Sequence, residues 1–526
     1  MFAISVSATR NYGELGMKIS LRVLSALGVA AALGDAVQAD VKLPNIIGSN
    51  MVLQREAPLP IWGWADAGEE VTVTLGSVSA KATTSADGKW SVKLPAQKAG
   101  GPHTVTVQGK NKLELNNVLI GEVWVGSGQS NMEWWVHASA NPKEEIEQAN
   151  HPKIRFFNVA PKKTVAIEPQ SNVNAEVVWT ECNPQTTPNM SAVCYYFGRY
   201  LHKELDDVPI GMINTSWGGT RIEPWTTPEG FASVEDPAIK AIGTNAVNQR
   251  TAYADAAAKA KAEGKPAPNP GVGAGTPVAL YNANVAPIVP FAIKGALWYQ
   301  GESNRGEGML YEKKMQALIN GWRSAWGQGD FPFYFVQLAP YTYVRDPKGP
   351  DGKVTPLPVD VKLKEQQKLA EIWEAQAAVL KSVKNTGMAV TTDITNLADI
   401  HPKNKQDVGK RLALWALAKD YGKKDLVYSG PLYKSAKFEG GKAVIEFDHV
   451  GSGLAARDGK PLSWFSIAGD NGEFVEAKAE IVGHTVVVSS DKVTNPVSVR
   501  LGWHELAEPN LMNKDGLPAS PFRAGK

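Results

Sequence analysis

Between residues 117 and 422, short apolar runs alternate with longer stretches of helical periodicity, and this alternation restricts the fold more than any other feature. Six runs read as strands: Val118–Val125, Ile154–Val159, Pro209–Ile213, Ala296–Gln300, Phe333–Leu338 and Met388–Thr392. Each is short and rich in β-branched or aromatic residues. Between them, Met309–Trp326 places Tyr311, Met315, Leu318 and Trp322 on one helical face, and Lys364–Val383 and Asn404–Tyr421 read the same way. Strand–helix alternation predicts an α/β fold, a mostly parallel sheet with helices on both faces. In such sheets the site lies beyond the carboxyl ends of the strands.

The flanks differ. Residues 40–115 alternate in the two-residue rhythm of strands, with Ala86-Asp87-Gly88-Lys89 as a hairpin turn, and residues 426–526 are strand-like again. The expected organisation is an accessory β-sandwich region over 40–115, a catalytic domain over 116–425 and a C-terminal β region over 426–526. Within the middle part, residues 226–280 break the alternation and read as an exposed insertion, a candidate flap over the site. Ala252–Lys265 is its helix and Pro266–Pro277 its loop. The run Gly271-Val272-Gly273-Ala274-Gly275 follows no strand and opens no helix, so it reads as loop rather than phosphate cradle. A length of 526 residues requires more than one core.

Residues 1–39 read as an upstream segment and a secretory signal. Lys18 and Arg22 precede the apolar run Val23–Leu33, and Val37-Gln38-Ala39 offers a cleavage site. Export permits a disulfide between the two cysteines, Cys182 and Cys194. A periplasmic or extracellular location is expected, with no membrane association after cleavage. The net charge of +2 gives no general attraction to nucleic acid.

Four segments at predicted strand ends carry chemistry. Gly126-Ser127-Gly128-Gln129-Ser130-Asn131-Met132 presents a serine in a glycine-rich turn, where a backbone N–H can face an oxyanion. Trp217-Gly218-Gly219-Thr220 offers further backbone donors. Trp298-Tyr299-Gln300-Gly301-Glu302-Ser303-Asn304 supplies side-chain amides. Asp399-Ile400-His401-Pro402 puts an acid two residues before a histidine, on the same side of an extended chain. Each alone is an ordinary turn. Together, in this order, they resemble the SGNH hydrolases, and among them the sialate O-acetylesterases and related carbohydrate acetylesterases. The resemblance spans nearly all of the chain after residue 39, including Asn50-Met51-Val52-Leu53-Gln54 and Gly516-Leu517-Pro518-Ala519.

The resemblance implies a three-layer, flavodoxin-like core and a secreted serine esterase that removes O-acetyl groups from sugars through an acetyl-serine intermediate, with no cofactor and no metal. Ser130 matches the nucleophile and His401 the base. The oxyanion hole would comprise the N–H groups of Ser130 and Gly219, with Gly218 as the alternative. Its side-chain amide would be Gln300, with Asn304 as the alternative, because the third motif departs from the usual Gly-x-Asn-Asp. The last motif also departs: Ala398 sits where an acid is usual, so the acid is Asp399, or Asp393, or absent.

The 16 tryptophans include Trp134, Trp135, Trp217 and Trp225 beside the motifs, candidate walls for sugar rings. Arg221 and Glu302 complete the substrate-facing candidates, Arg221 either meeting a sialate carboxylate or holding a glutamate. Acetylated xyloglucan or xylan is favoured over sialic acid. Two other readings stand beside this one: a glycoside hydrolase using Glu133, Glu223 and Glu302, and a non-catalytic carbohydrate-binding protein.

Overall fold

The computed structural model describes residues 40–159, 163–348 and 354–526, so the expected leader lies outside the described residues. The first region contains β1 (Val52–Gln54), β2 (Leu59–Trp64), β3 (Glu70–Leu75), β4 (Val78–Thr83), β5 (Lys89–Leu94) and β6 (Gly100–Gln108). In β2, β3 and β5 every second residue is buried, as expected where one sheet face meets a core and the other meets water. The next strand, β7 (Lys112–Gly128), does two jobs. Its first half alternates and pairs antiparallel with β6. From Val118 it is buried without interruption and becomes the middle of a parallel sheet. The change in burial follows the sequence, where Lys112-Leu113-Glu114-Leu115 gives way to the continuous run Val118–Val125.

The parallel sheet is completed by β8 (His151–Asn158), β9 (Thr180–Cys182), β10 (Ile210–Asn214), β11 (Gly295–Tyr299), β12 (Phe333–Val336) and β13 (Thr386–Ala389). The order is β13-β12-β11-β7-β10-β8-β9, with only β9 antiparallel. All six expected strands are present. The chain builds β8 and β10 on one side of β7, then crosses to lay β11, β12 and β13 on the other. The crevice at the carboxyl end of β7 is therefore the switch point.

The helices are α1 (Ser130–Glu133), α2 (Pro142–Glu147), α3 (Ala192–Glu204), α4 (Pro228–Ala232), α5 (Pro237–Ala262), α6 (Leu310–Trp326), α7 (Val359–Ser382) and α8 (Lys405–Lys419). Helices α3 and α8 pack together on one face of the sheet, where Trp124 and Tyr334 stack at 5.8 Å. Helices α6 and α7 cover the other, where Trp298 and Phe333 meet Trp322. The insertion helix begins well before Ala252. Asp236 caps it by accepting from the N–H groups of Ala238 and Ile239, and Pro237 sits in its first turn. Phe231, Val234, Ile239 and Val278 form a satellite core with Ala317 of α6.

The first β region shares one hydrophobic core with the parallel sheet. The C-terminal β region has its own, built from Ile445, Ile467, Val486, Val488, Val499 and Leu501 between two four-stranded antiparallel sheets. It also reaches the loops beyond β12 and β13: the Glu505 carboxylate accepts from the Val344 N–H at 3.0 Å, and Thr395 hydroxyl donates to Glu508. Among the described residues no helix is long and apolar enough to cross a membrane.

Candidate active site

Strand β7 ends at Gly128, whose φ of +139° disfavours any side chain. A Cβ there would stand 2.1 Å from the Tyr299 carbonyl oxygen, so only glycine lets the ends of β7 and β11 approach this closely. Gln129 N–H then donates to that carbonyl at 3.0 Å, and the chain turns into α1 with Ser130 at its first position. His401 arrives from the segment after β13, and its Nε2 lies 2.8 Å from Ser130 Oγ. That is hydrogen-bond distance for a nucleophile and its base.

Two neighbours fix the histidine. The Asp399 carboxylate accepts from the His401 backbone N–H at 3.0 Å and lies 3.5 Å from Nδ1. Trp134 stacks on the imidazole at 4.6 Å and 17° between planes, while its own Nε1–H donates to the Ala138 carbonyl. Burial, reinforced by the nearby Lys405, holds His401 below the ordinary value of 6.5 against the opposing pull of Asp399. The ring is therefore mostly neutral, and able to take a proton, at neutral pH. The alternative acid, Asp393, instead makes a two-pronged pair with Arg411 at 2.6 and 2.7 Å.

The second motif passes beside Ser130. A Cβ built on Gly218 would lie 3.1 Å from the Ser130 Cβ. The Gly218 N–H is already taken by the Glu133 carboxylate at 2.6 Å, so it is not the available donor. Gly219 is exposed, with φ +75°, and its N–H meets no acceptor among the described residues. Glu133 also pairs with Lys163 at 2.9 Å, which anchors the loop.

The amide donor expected in the third motif is not free. Gln300 is fully buried, and its Nε2 donates to Gln129 Oε1, Thr220 O and Asn304 Oδ1, while its Oε1 accepts from Tyr311. Asn304 is equally committed. Its Oδ1 also takes the Ile222 N–H, and its Nδ2 donates to Glu223 and Glu307. These amides fasten the loops to each other.

Several substrate-facing expectations change for similar reasons. Trp225 is wholly buried against Trp298, with Nε1 on the Thr220 hydroxyl. Trp134 serves the histidine ring. Glu302 faces inward, with Oε1 accepting from Asn131 at 2.6 Å and Oε2 buried without a partner among the described residues. Arg221 holds Glu223 and Glu307, which Lys314 also bridges at 2.7 Å each. Trp135 remains exposed and Trp217 half-buried, with Lys163 Nζ 6.0 Å over its ring. Cys182 and Cys194 are free buried thiols. One sits against Thr187 and the other against Met132, and burial pushes them up to about 11 and about 12. Glu133, Glu223 and Glu302 are committed in three separate networks, so these three do not form a glycosidase-like carboxylate pair. The sequence reading missed Lys405, the fully buried first residue of α8, whose Nζ donates to Asn131 Oδ1 at 2.5 Å. Nothing in its pattern separates it from a solvated lysine in a first turn.

A mostly parallel sheet with helices on both faces, and four motif loops gathered at its carboxyl edge, define an SGNH-type hydrolase. The family described as sialic acid-specific acetylesterase carbohydrate esterases matches residues 120–418. Sialate O-acetylesterase of Rattus norvegicus is 32% identical over 75% of this chain and 76% of that protein. The Homo sapiens sialate O-acetylesterase is 30% identical over 78% and 76%. The crystal structure of a carbohydrate acetylesterase from Xanthomonas citri superposes with a TM-score of 0.77 at 36% identity, covering 93% of this chain and all of that one. The chain belongs to this carbohydrate esterase family and is a carboxylic ester hydrolase, which displaces the reading as a non-catalytic binding protein.

Proposed function

We propose that the protein is an exported serine esterase that removes O-acetyl groups from neutral hemicellulose oligosaccharides. The observation that carries the mechanism is the 2.8 Å contact between Ser130 Oγ and His401 Nε2 at the switch point. His401 takes the Ser130 proton as Oγ attacks the acetyl carbonyl. The oxyanion is met by the N–H groups of Ser130 and Gly219. His401 then returns the proton to the departing sugar oxygen, leaving acetyl-Ser130. Water, deprotonated by the same ring, cleaves that ester, releasing acetate and restoring Ser130. Asp399 orients the ring and stabilises its cation.

A neutral substrate is favoured by what surrounds the serine. Arg221 is occupied by Glu223 and Glu307 and Lys163 by Glu133, while the accessible aromatic surfaces are Trp135 and Trp217. The names of the curated relatives favour sialate instead. Acetate release from acetylated xyloglucan, xylan and sialic acid, compared at equal acetyl concentration, separates the two; a preference for acetylated sialate overturns the hemicellulose reading. Export is tested by the mature protein's intact mass, expected to match cleavage after Ala39.

A further inference from the structure

Beneath the Ser130–His401 contact lies a buried polar chain that the proposed mechanism does not use. Asn131 follows the serine, and its amide touches three elements at once. Nδ2 donates to the Ile400 carbonyl at 3.0 Å and to Glu302 Oε1 at 2.6 Å; Oδ1 accepts from Lys405 Nζ at 2.5 Å. The orientation of this amide is fixed, because a carbonyl such as that of Ile400 only accepts. Oδ1 must therefore face Lys405, the donor, and Glu302 must be the acceptor. Ile400 precedes His401, so one side chain ties the residue after the nucleophile to the residue before the base. Lys405 has no exposed surface, and its ammonium lies 5.3 Å from the Tyr299 ring and 5.9 Å from the Trp134 ring that stacks on His401.

The geometry points to Lys405, Asn131 and Glu302 as one positioning unit that holds the Ser130 and His401 loops in register. This rests on the reading of Ser130 and His401 as the reacting pair. The charged and titratable groups around the unit come from every packed element. Asp399 lies on the histidine loop and His401 beside it. Glu302 and Tyr299 come from the end of β11 and the turn after it, and Arg305 and Tyr343 lie outside them. Of these, Lys405 lowers the proton affinity of His401 and Asp399 raises it. Burial brings Lys405 itself down to about 7, and burial raises Glu302.

The experiment measures kcat, KM and the pH profile of kcat/KM on an aryl acetate for Ser130→Ala, Lys405→Met and the double variant K405M/E302Q, which leaves no buried charge unpaired. Imidazole NMR of His401 is followed in the Ser130→Ala background, with and without K405M. Lys405→Met is expected to lower kcat by about 10- to 100-fold with little change in KM. Its acid limb and the His401 titration are expected to move up by about one pH unit. The double variant is expected to move them the same way, and it decides the matter if the single variant fails to fold. A folded variant with unchanged kcat, or one with a lowered kcat but an unmoved limb and an unmoved His401 titration, overturns the proposal, because a merely structural lysine would act that way. Full activity in Ser130→Ala overturns the underlying assignment of the pair, a failure distinct from the first.

Discussion

Two polar clusters stand side by side at the carboxyl edge of the sheet, and they differ in how completely they are satisfied. The cluster of Gln300, Asn304, Glu223, Glu307, Lys314 and Arg221 is closed: both amides are used at each end, and the ion pairs bridge one another. The cluster of Ser130, His401, Asp399 and Gly219 is open. The serine meets the histidine, and the Gly219 N–H has no protein acceptor among the described residues. Closed networks rigidify; unclaimed donors held by a rigid surround can meet a developing charge. The difference teaches that chemical type alone does not mark a site. Gln300 has the right donor for an oxyanion but has already spent it.

The largest test of the contrast is removal of its centre. Ser130→Ala and His401→Ala are each expected to lower acetate release by about 10,000-fold or more while leaving thermal unfolding nearly unchanged. The two aspartates then separate the clusters by kind of effect. Asp399→Asn is expected to reduce kcat/KM by about 10- to 100-fold, less than for a fully buried triad acid, because Asp399 is partly exposed and 3.5 Å from the ring. Asp393→Asn should act on stability, by about 3 kcal/mol in denaturant unfolding, since it strands the buried Arg411 guanidinium. In the closed cluster, Asn304→Ala is expected to cost about 2 to 3 kcal/mol of stability. A large fall in kcat with unchanged stability for Asn304→Ala would place that amide in the open cluster after all.

The sequence disclosed the sheet more fully than the site. The six strand runs were legible because parallel strands are buried on both faces and read as continuous apolar segments. The start of α5 was missed although Asp236-Pro237 is a helix-opening pair, because the following Ala/Lys-rich stretch drew the boundary downstream. At the site, Ser130 and His401 were legible as types in strand-end turns. What each amide and carboxylate bonds to was not, since that depends on contacts between segments far apart in the chain. Gln300 meets Gln129 across 171 positions, and Lys405 meets Asn131 across 274. Composition also misled: of four tryptophans beside the motifs, Trp225 serves the core and Trp134 the histidine.

The smallest expected effect lies at the rim of the open cluster. Trp135 is 45% exposed, with His137 edge-on to its ring at 5.1 Å, so little of the core rests on it. Trp135→Ala should therefore leave unfolding almost unchanged. If its face stacks on a sugar, the variant raises KM for an acetylated xylo- or xyloglucan oligosaccharide by about threefold to tenfold, equivalent to about 1 kcal/mol of aromatic contact. The rate on a small aryl acetate, which reaches Ser130 without touching the rim, should not move. Equal losses on both substrates would instead tie Trp135 to the Ser130 loop through the bridge between Trp135 and Ser191, drawing it into the part of the molecule that holds the serine rather than the part that meets the glycan.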